Sequence, residues 1–242
     1  MSWGRHWGLT GQVMAKHKFF ITGTDTDVGK TLVAAGLLVA ANTSGLSTVA
    51  MKPVAAGCEQ TDVGLRNDDA LLLQQTMSTQ LPYEQLNPVA LKLPIAPHIA
   101  AEKEGRRLRC SQLVGYCRGV LMQSVDVAVI EGAGGWRVPL NRAETLANLP
   151  KELNLPVILV VGMKLGCINH ALLTAEAIMR DGLTLAGWVA NRTVSEMACY
   201  PENLQTLKAL LPAPCLGEIP YIDNPTPQLV APYLSLDLVI TP

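Results

Sequence analysis

The sequence has no excess of charge of either sign: 19 Lys and Arg stand against 20 Asp and Glu in 242 residues, a formal net charge of −1. A chain so balanced has no general attraction to nucleic acid or to an anionic membrane, and neither is expected as a partner. It also lacks any CxxC pair. Cys58, Cys110, Cys117, Cys167, Cys199 and Cys215 are scattered, which argues against zinc ligation and against a disulfide framework. They are expected as small, mostly buried apolar residues in a reducing cytoplasm. No apolar run approaches the ~18–20 residues that cross a bilayer. The opening MSWGRHWGLTGQV has no signal-peptide core. Residues 1–17 are expected as a flexible extension, with Met14 as an alternative start, and 18–242 as the folded unit. Internal repeats and low-complexity tracts are absent too.

What is present is alternation. A chain of this length should bury roughly 70–75% of its unfolded surface, enough for a core without staples. Short apolar runs predict strands at Lys18–Thr22, Thr48–Lys52, Val125–Glu131, Val157–Val161, Leu185–Asn191 and Cys215–Pro220. Several are apolar throughout, as strands covered on both faces are. Between them, helices are expected at Lys30–Ala41, Asp69–Gln75, Ser111–Ser124, Ile168–Arg180 and Glu202–Leu210. The pattern predicts a single α/β domain, a mostly parallel sheet with helices on both faces. The stretch Pro53–Arg107 has weak periodicity, and loops of that length are usually functional.

GTDTDVGKT, Gly23 to Thr31, matches the phosphate-binding P-loop G-x-x-x-x-G-K-[ST] in full. It follows Phe19-Phe20-Ile21 and precedes a helix-like run, the strand–loop–helix context the motif needs. Its glycines let backbone N–H groups converge on phosphate oxygens, and the helix start adds its positive end. Lys30 is placed for the β- and γ-phosphates and Thr31 for Mg²⁺. The motif says nucleotide; it does not say which chemistry.

Such a site needs a carboxylate at a neighbouring strand end. Glu131 closes the run Val127–Ile130, and a buried strand end seldom carries an unpaired acid, which favours a metal role over a loop cap. Asn67-Asp68-Asp69 opens a helix, so the run fits an N-cap as well as it fits a metal site. Lys52 ends the second strand, where a lysine faces either the ligand crevice or solvent.

Together GTDTDVGKT, MKPVAAG, GLRNDDALLLQ, VIEGAGGW, LPVILVVGMKLGCINHALLTA, GWVAN and PAPCLGEIP resemble dethiobiotin synthase, in family order from about residue 18 to about 222. The resemblance implies that 7,8-diaminononanoate, CO₂ and ATP react with Mg²⁺ to give dethiobiotin. One amine captures CO₂ as a carbamate, ATP phosphorylates it, and the second amine closes the ring and releases phosphate. It further implies that Asp27, Val28, Gly29, Lys30, Thr31 and Leu32 bind ATP, with Thr31, Asp69 and Glu131 around magnesium. Lys30 and Lys52 would be catalytic, and Gly132, Ala133 and Gly134 would line the site as further ATP contacts, together with Asp69 and Glu131. Asn191 would read adenine, with Arg192, Pro220, Tyr221 and Ile222 beside it. Family members are homodimers, and Gly166, Cys167 and Asn169 of a partner subunit would take the diamine carboxylate, with Tyr200 a further contact. A helix start suits that anion. No side-chain nucleophile is required, in keeping with the lack of a Ser-His-Asp or Cys-His set.

Ala56, on the substrate side, departs from the family serine, and Ile95-Ala96 before Pro97-His98 is less polar than the family pattern. A different class, a nucleotide-driven switch ATPase, usually carries lysine directly after the first loop glycine. Thr24 stands there instead. A non-catalytic nucleotide-binding relative is a third reading, opposed by the intact set Lys30, Thr31, Lys52, Asp69 and Glu131.

Overall fold

Apolar runs without polar alternation make strands covered on both sides, and the computed structural model, which describes residues 15–240, folds them so. β1 (His17–Gly23) and β2 (Thr48–Met51) are followed by four short strands: β3 (Val54–Ala55), β4 (Glu59–Thr61), β5 (Gly64–Arg66) and β6 (Val89–Ala90). The last four are β7 (Val127–Glu131), β8 (Val157–Gly162), β9 (Leu185–Asn191) and β10 (Cys215–Ile219). Six of these form the main sheet in the order β10-β9-β8-β1-β7-β2, with every pairing parallel. All six expected strands are there. β2, β7 and β8 are buried at every position.

The helices are α1 (Lys30–Thr43), α2 (Asp68–Thr76), α3 (Tyr83–Leu86), α4 (Pro97–Lys103), α5 (Cys110–Leu121), α6 (Asn148–Leu153), α7 (Cys167–Arg180), α8 (Tyr200–Leu210) and α9 (Pro227–Val230). Parallel crossovers are right-handed, so the direction of travel along the sheet fixes the face. The chain moves one way from β1 to β2 through α1, then back through β7, β8 and β9 to β10. α1 therefore covers one face with α9 against it, while α5, α6, α7 and α8 share the other. Every strand of this sheet ends on the same edge, and the shared direction gathers the loops there.

α1 is rich in Ala and Leu, with Gly36 at its centre. A Cβ there would lie 2.7 Å from Val230 and 2.8 Å from Leu234, so the missing side chain lets the C-terminal segment close on the helix. The weakly periodic stretch Pro53–Arg107 holds the helix expected at Asp69–Gln75, as α2, and several shorter elements besides. The shorter ones are too brief to show a period, and side chains hold them: the Tyr83 hydroxyl accepts from the Asn67 N–H at 2.8 Å and donates to Asn87 Oδ1 at 3.1 Å. Asn87 in turn donates to the Lys52 carbonyl at 2.7 Å.

Of the expected extension 1–17, residues 1–14 lie outside the described residues. Ala15 is buried, and the backbone N–H groups of Lys16 and His17 bond to Val125 and Asp126. Cys58, Cys110, Cys117 and Cys167 are buried, whereas Cys199 is exposed. No helix among the described residues is long and apolar enough to cross a membrane.

Ile130 sits in β7 with no solvent exposure. Ile130→Ala is expected to cost about 2–5 kcal/mol of unfolding free energy, measured by urea denaturation. A loss below ~1 kcal/mol would place the core elsewhere than this sheet.

Candidate active site

The phosphate loop leaves β1 at Gly23 and enters α1 at Lys30. Asp27 and Gly29 both have positive φ, 57° and 83°, which turns successive N–H groups inward. At Gly29 this conformation is costly for residues other than glycine, and a Cβ would fall 2.2 Å from Asn191 Nδ2. Asn191, buried at the end of β9, donates to the Val28 carbonyl at 2.9 Å. The Val28 side chain is buried and fills the space over Gly23 and Gly162, so what Val28 can present is its backbone.

Beside the loop the carboxyl ends of β2 and β7 bring charges together. Lys52 is 3% exposed. Its Nζ donates to Glu131 Oε1 at 2.6 Å, to Asp69 Oδ2 at 2.9 Å and to the Gly132 carbonyl at 3.3 Å. Thr31 Oγ1 donates to the same Glu131 oxygen at 2.8 Å. Asn67 takes the capping role of its run, accepting from the Ala70 N–H at 3.2 Å. That frees Asp69 to face Lys52, so the run caps the helix through Asn67 and reaches the site through Asp69.

Burial works against the Lys52 ammonium, but Glu131 and Asp69 outweigh it and its pKa is raised. Asp69, raised by burial alone, is drawn below its ordinary value by Lys52. Burial pushes the Glu131 carboxyl up, against the pull of Lys52. Lys30 behaves differently. Its Nζ donates to the Asp25 carbonyl at 3.0 Å, and burial followed by repulsion from Lys52 lowers its pKa. The site thus holds one ammonium paired with carboxylates and a second with little compensation.

These groups border a cleft of about 970 Å³. Asp27, Gly29, Lys30, Thr31 and Leu32 line one side, and Ala133, Gly134, Gly135 and Arg137 line another. Lys52, Asp69, Ala55 and Ala56 lie between them, with Pro94–Pro97 at the far wall. Glu131 and Gly132 lie beneath the lining, in contact with it through Lys52. Gly132 packs on Phe20, whose Cζ would be 2.9 Å from a Cβ.

Other expected site residues stand apart from the cleft lining. Arg192, Pro220, Tyr221 and Ile222 gather where β9 and β10 end, joined by the Arg192 N–H to the Ile219 carbonyl at 3.0 Å. The Tyr200 ring lies 4.8 Å from the Arg192 guanidinium. Gly166, with φ of 94°, caps the start of α7 ahead of Cys167 and Asn169. Cys167 is buried, so a ligand there would meet backbone. Sequence reasoning missed Tyr83 and Asn87, which set the Lys52 backbone, as well as Pro225 and Arg137 on the cleft. A buried asparagine bonding 35 residues away leaves no local signal.

Comparison with known proteins follows this geometry. A family model described as an AAA domain matches residues 17–228. The ATP-dependent dethiobiotin synthetase BioD of Marinobacter nauticus is 54% identical over 95% of this chain and 98% of its own. That of Cellvibrio japonicus is 58% identical over 92% and 97%, and that of Pseudomonas aeruginosa 56% over 90% and 96%. Among solved structures, a ParA family ATPase from Chlorobium tepidum TLS aligns with a TM-score of 0.53 over 93% of this chain and 96% of its own. At 14% identity it speaks for the fold alone. Sequence identity of this level and coverage settles the family: the chain belongs to the ATP-dependent dethiobiotin synthetases.

Proposed function

We propose that this cleft is where ATP drives ring closure of 7,8-diaminononanoate and CO₂ to dethiobiotin, a step of biotin biosynthesis. The observation that carries the reading is the pair of buried ammonium groups, Lys30 and Lys52, on one cleft beside a phosphate loop. Both chemical steps develop negative charge on oxygen, and preorganised cations in a partly dry site stabilise it. Asp27 to Leu32 hold the triphosphate, with Lys30 turning from the Asp25 carbonyl to the transferring phosphoryl group. Lys52, fixed by its carboxylates, faces the carbamate. Backbone of Ala133 and Gly134 lines another side, with Gly132 beneath it. Asn191 has its amide nitrogen on Val28, leaving its side-chain oxygen for the adenine amine, with Arg192 and Pro220 to Ile222 at the base.

The residues fit Mg²⁺. Glu131 Oε2 is buried with no hydrogen-bond partner, next to the Thr31 hydroxyl and close to Asp69 through Lys52. No cluster of three or more His, Cys, Asp or Glu is gathered among the described residues, which suits a cation that keeps water and phosphate ligands rather than a full protein cage. Thr31, Asp69 and Glu131 would hold Mg²⁺, which would offset the negative charge of the triphosphate.

A homodimer is the proposed assembly, in a cytoplasmic setting. Its support is the surface of α7 and the loop before it: Leu165 is 94% exposed, and Leu173 and Met179 are also bare. Burying these side chains against a second copy would favour association. A second copy there would bring Gly166, Cys167, Asn169 and Tyr200 to the diamine carboxylate of the neighbouring site. The alternative of a nucleotide-driven switch would not require the diamine.

Mass spectrometry of the purified protein with ATP, Mg²⁺, bicarbonate and 7,8-diaminononanoate is expected to find dethiobiotin, dependent on all four. ATP hydrolysis that ignores the diamine and yields no product would replace this reading with the switch. The two lysines are expected to differ in thermal denaturation. Lys30→Met should leave the melting temperature unchanged or higher while lowering turnover at least ~100-fold, because it removes a desolvated charge. Lys52→Met should cost about 3–5 kcal/mol, since it strands buried Glu131. Equal effects on stability would contradict the charge balance described above.

A further inference from the structure

α7 ends on a residue that its own helix disfavours. Asp181 is the C-cap, where the partial negative charge of the helix end opposes a carboxylate. The ending itself needs only Gly182, with φ of 83°. The Gly182 N–H bonds to Met179 and the Leu183 N–H to Ile178, the two bonds of a Schellman motif. A residue that breaks a local rule without need in its own element points to a role elsewhere.

That role is visible in what converges on it. The Asp181 side chain is 9% exposed and accepts from three directions. Trp136 Nε1 donates at 2.9 Å. Arg137 reaches both oxygens, at 3.1 Å through one terminal nitrogen and 2.7 Å through the other. Lys151 of α6 lies at 3.3 Å. Burial pushes the carboxyl up, but these donors, Arg137 first, outweigh it and hold its pKa below the ordinary value.

Trp136 and Arg137 continue directly from the glycine loop. The segment 132–147 joins β7 to α6 without a helix or strand of its own; its second half is tied down by Asn141 on Leu108 and Glu144 on Cys110, and its first residues, 132–136, rest on two anchors. One is the Gly132 N–H on the Ile21 carbonyl at 2.9 Å. The other is Trp136, buried and edge-on to Phe20 at 6.2 Å, with its indole on Asp181. Between the anchors Gly135 sits close over the carbonyls of Gly23 and Thr24, at 3.6 and 3.9 Å from where a Cβ would be.

We propose that Asp181 is a positioning residue for the synthetase reaction: through Trp136 and Arg137 it sets the glycine loop at its working distance from the phosphate loop. The inference rests on the reading of this cleft as the site of ring closure. A bidentate carboxylate–guanidinium pair fixes orientation as well as distance, and small displacements of a site wall are costly to turnover. The phosphate loop, on another side of the cleft, is anchored separately, by Asn191 on the Val28 carbonyl.

The test is steady-state kinetics with hydrogen exchange on three variants. Asp181→Asn is expected to lower kcat/KM for the diamine at least ~10-fold, with KM for ATP within about two-fold of wild type. Amide exchange should speed up in residues 132–138 and not in 23–31. Asp181→Glu should restore most of the activity, and Lys151→Ala, which removes a donor outside the glycine loop, should leave the kinetics as they were. Unaltered exchange in 132–138, unaltered kinetics in Asp181→Asn, or an equal loss in Lys151→Ala would overturn the proposal. If wild type made no dethiobiotin, the synthetase reading would fall while the exchange measurement still decided whether Asp181 holds the loop.

Discussion

Lys52 keeps a full positive charge where water hardly reaches, and the arrangement of the site follows from how that charge is held. An ammonium buried to this degree is unfavourable by several kcal/mol unless partners of good geometry surround it. The partners come from two places in the chain, Glu131 at the end of β7 and Asp69 in the first turn of α2. Parallel strands alone deliver the first, because β2 and β7 are neighbours and end on one edge. The second requires that the segment after β2 fold back, which Tyr83 and Asn87 secure through the Lys52 carbonyl. Glu131 is thereby left with one satisfied oxygen and one buried oxygen without a partner. An unsatisfied carboxylate oxygen inside a protein is costly, and it is also the atom a cation would complete.

The second ammonium obeys a different logic. Lys30 is part of the P-loop and opens α1, so backbone geometry rather than charge pairing places it. It faces a carbonyl and feels repulsion from Lys52. Stability is given up locally at the point where an anion is to arrive. Gly29 shows the same trade, since its left-handed conformation and its contact with Asn191 exclude other residues. The fold thus concentrates strain and unpaired charge on one sheet edge, while the central strands β7 and β8 beneath it are buried and, Glu131 apart, apolar throughout.

Much of this was legible in the sequence. Six strands could be read because fully apolar runs bounded by turns have few other solutions in a chain of this size. Gly23 to Thr31, Lys52 and Glu131 could be read because they follow strands directly, and the topology of a parallel sheet sends strand ends to one place. Asp69 could not be read from pattern: an acid opening a helix serves the dipole equally well, and the decision is made by Asn67 capping the helix in its stead. Of the elements from β3 to α4, only α2 was legible, as the helix expected at Asp69–Gln75; the others escaped because they are short and held by contacts to distant residues. Asp181 escaped for the same reason, since nothing near it in sequence shows that Trp136 and Arg137 lie across from it.

On the proposed reading, the buried carboxylate of Glu131 and the two lysines form one site that a nucleotide and a divalent cation complete. A crystal structure of the protein with Mg²⁺ and a non-hydrolysable ATP analogue tests it most directly. The account predicts the cation beside Glu131 Oε2 and the Thr31 hydroxyl, the γ-phosphate between Lys30 and Lys52, and Lys30 withdrawn from the Asp25 carbonyl. A nucleotide bound with its phosphates outside the Gly23–Thr31 loop, or a cation remote from Glu131, would contradict it.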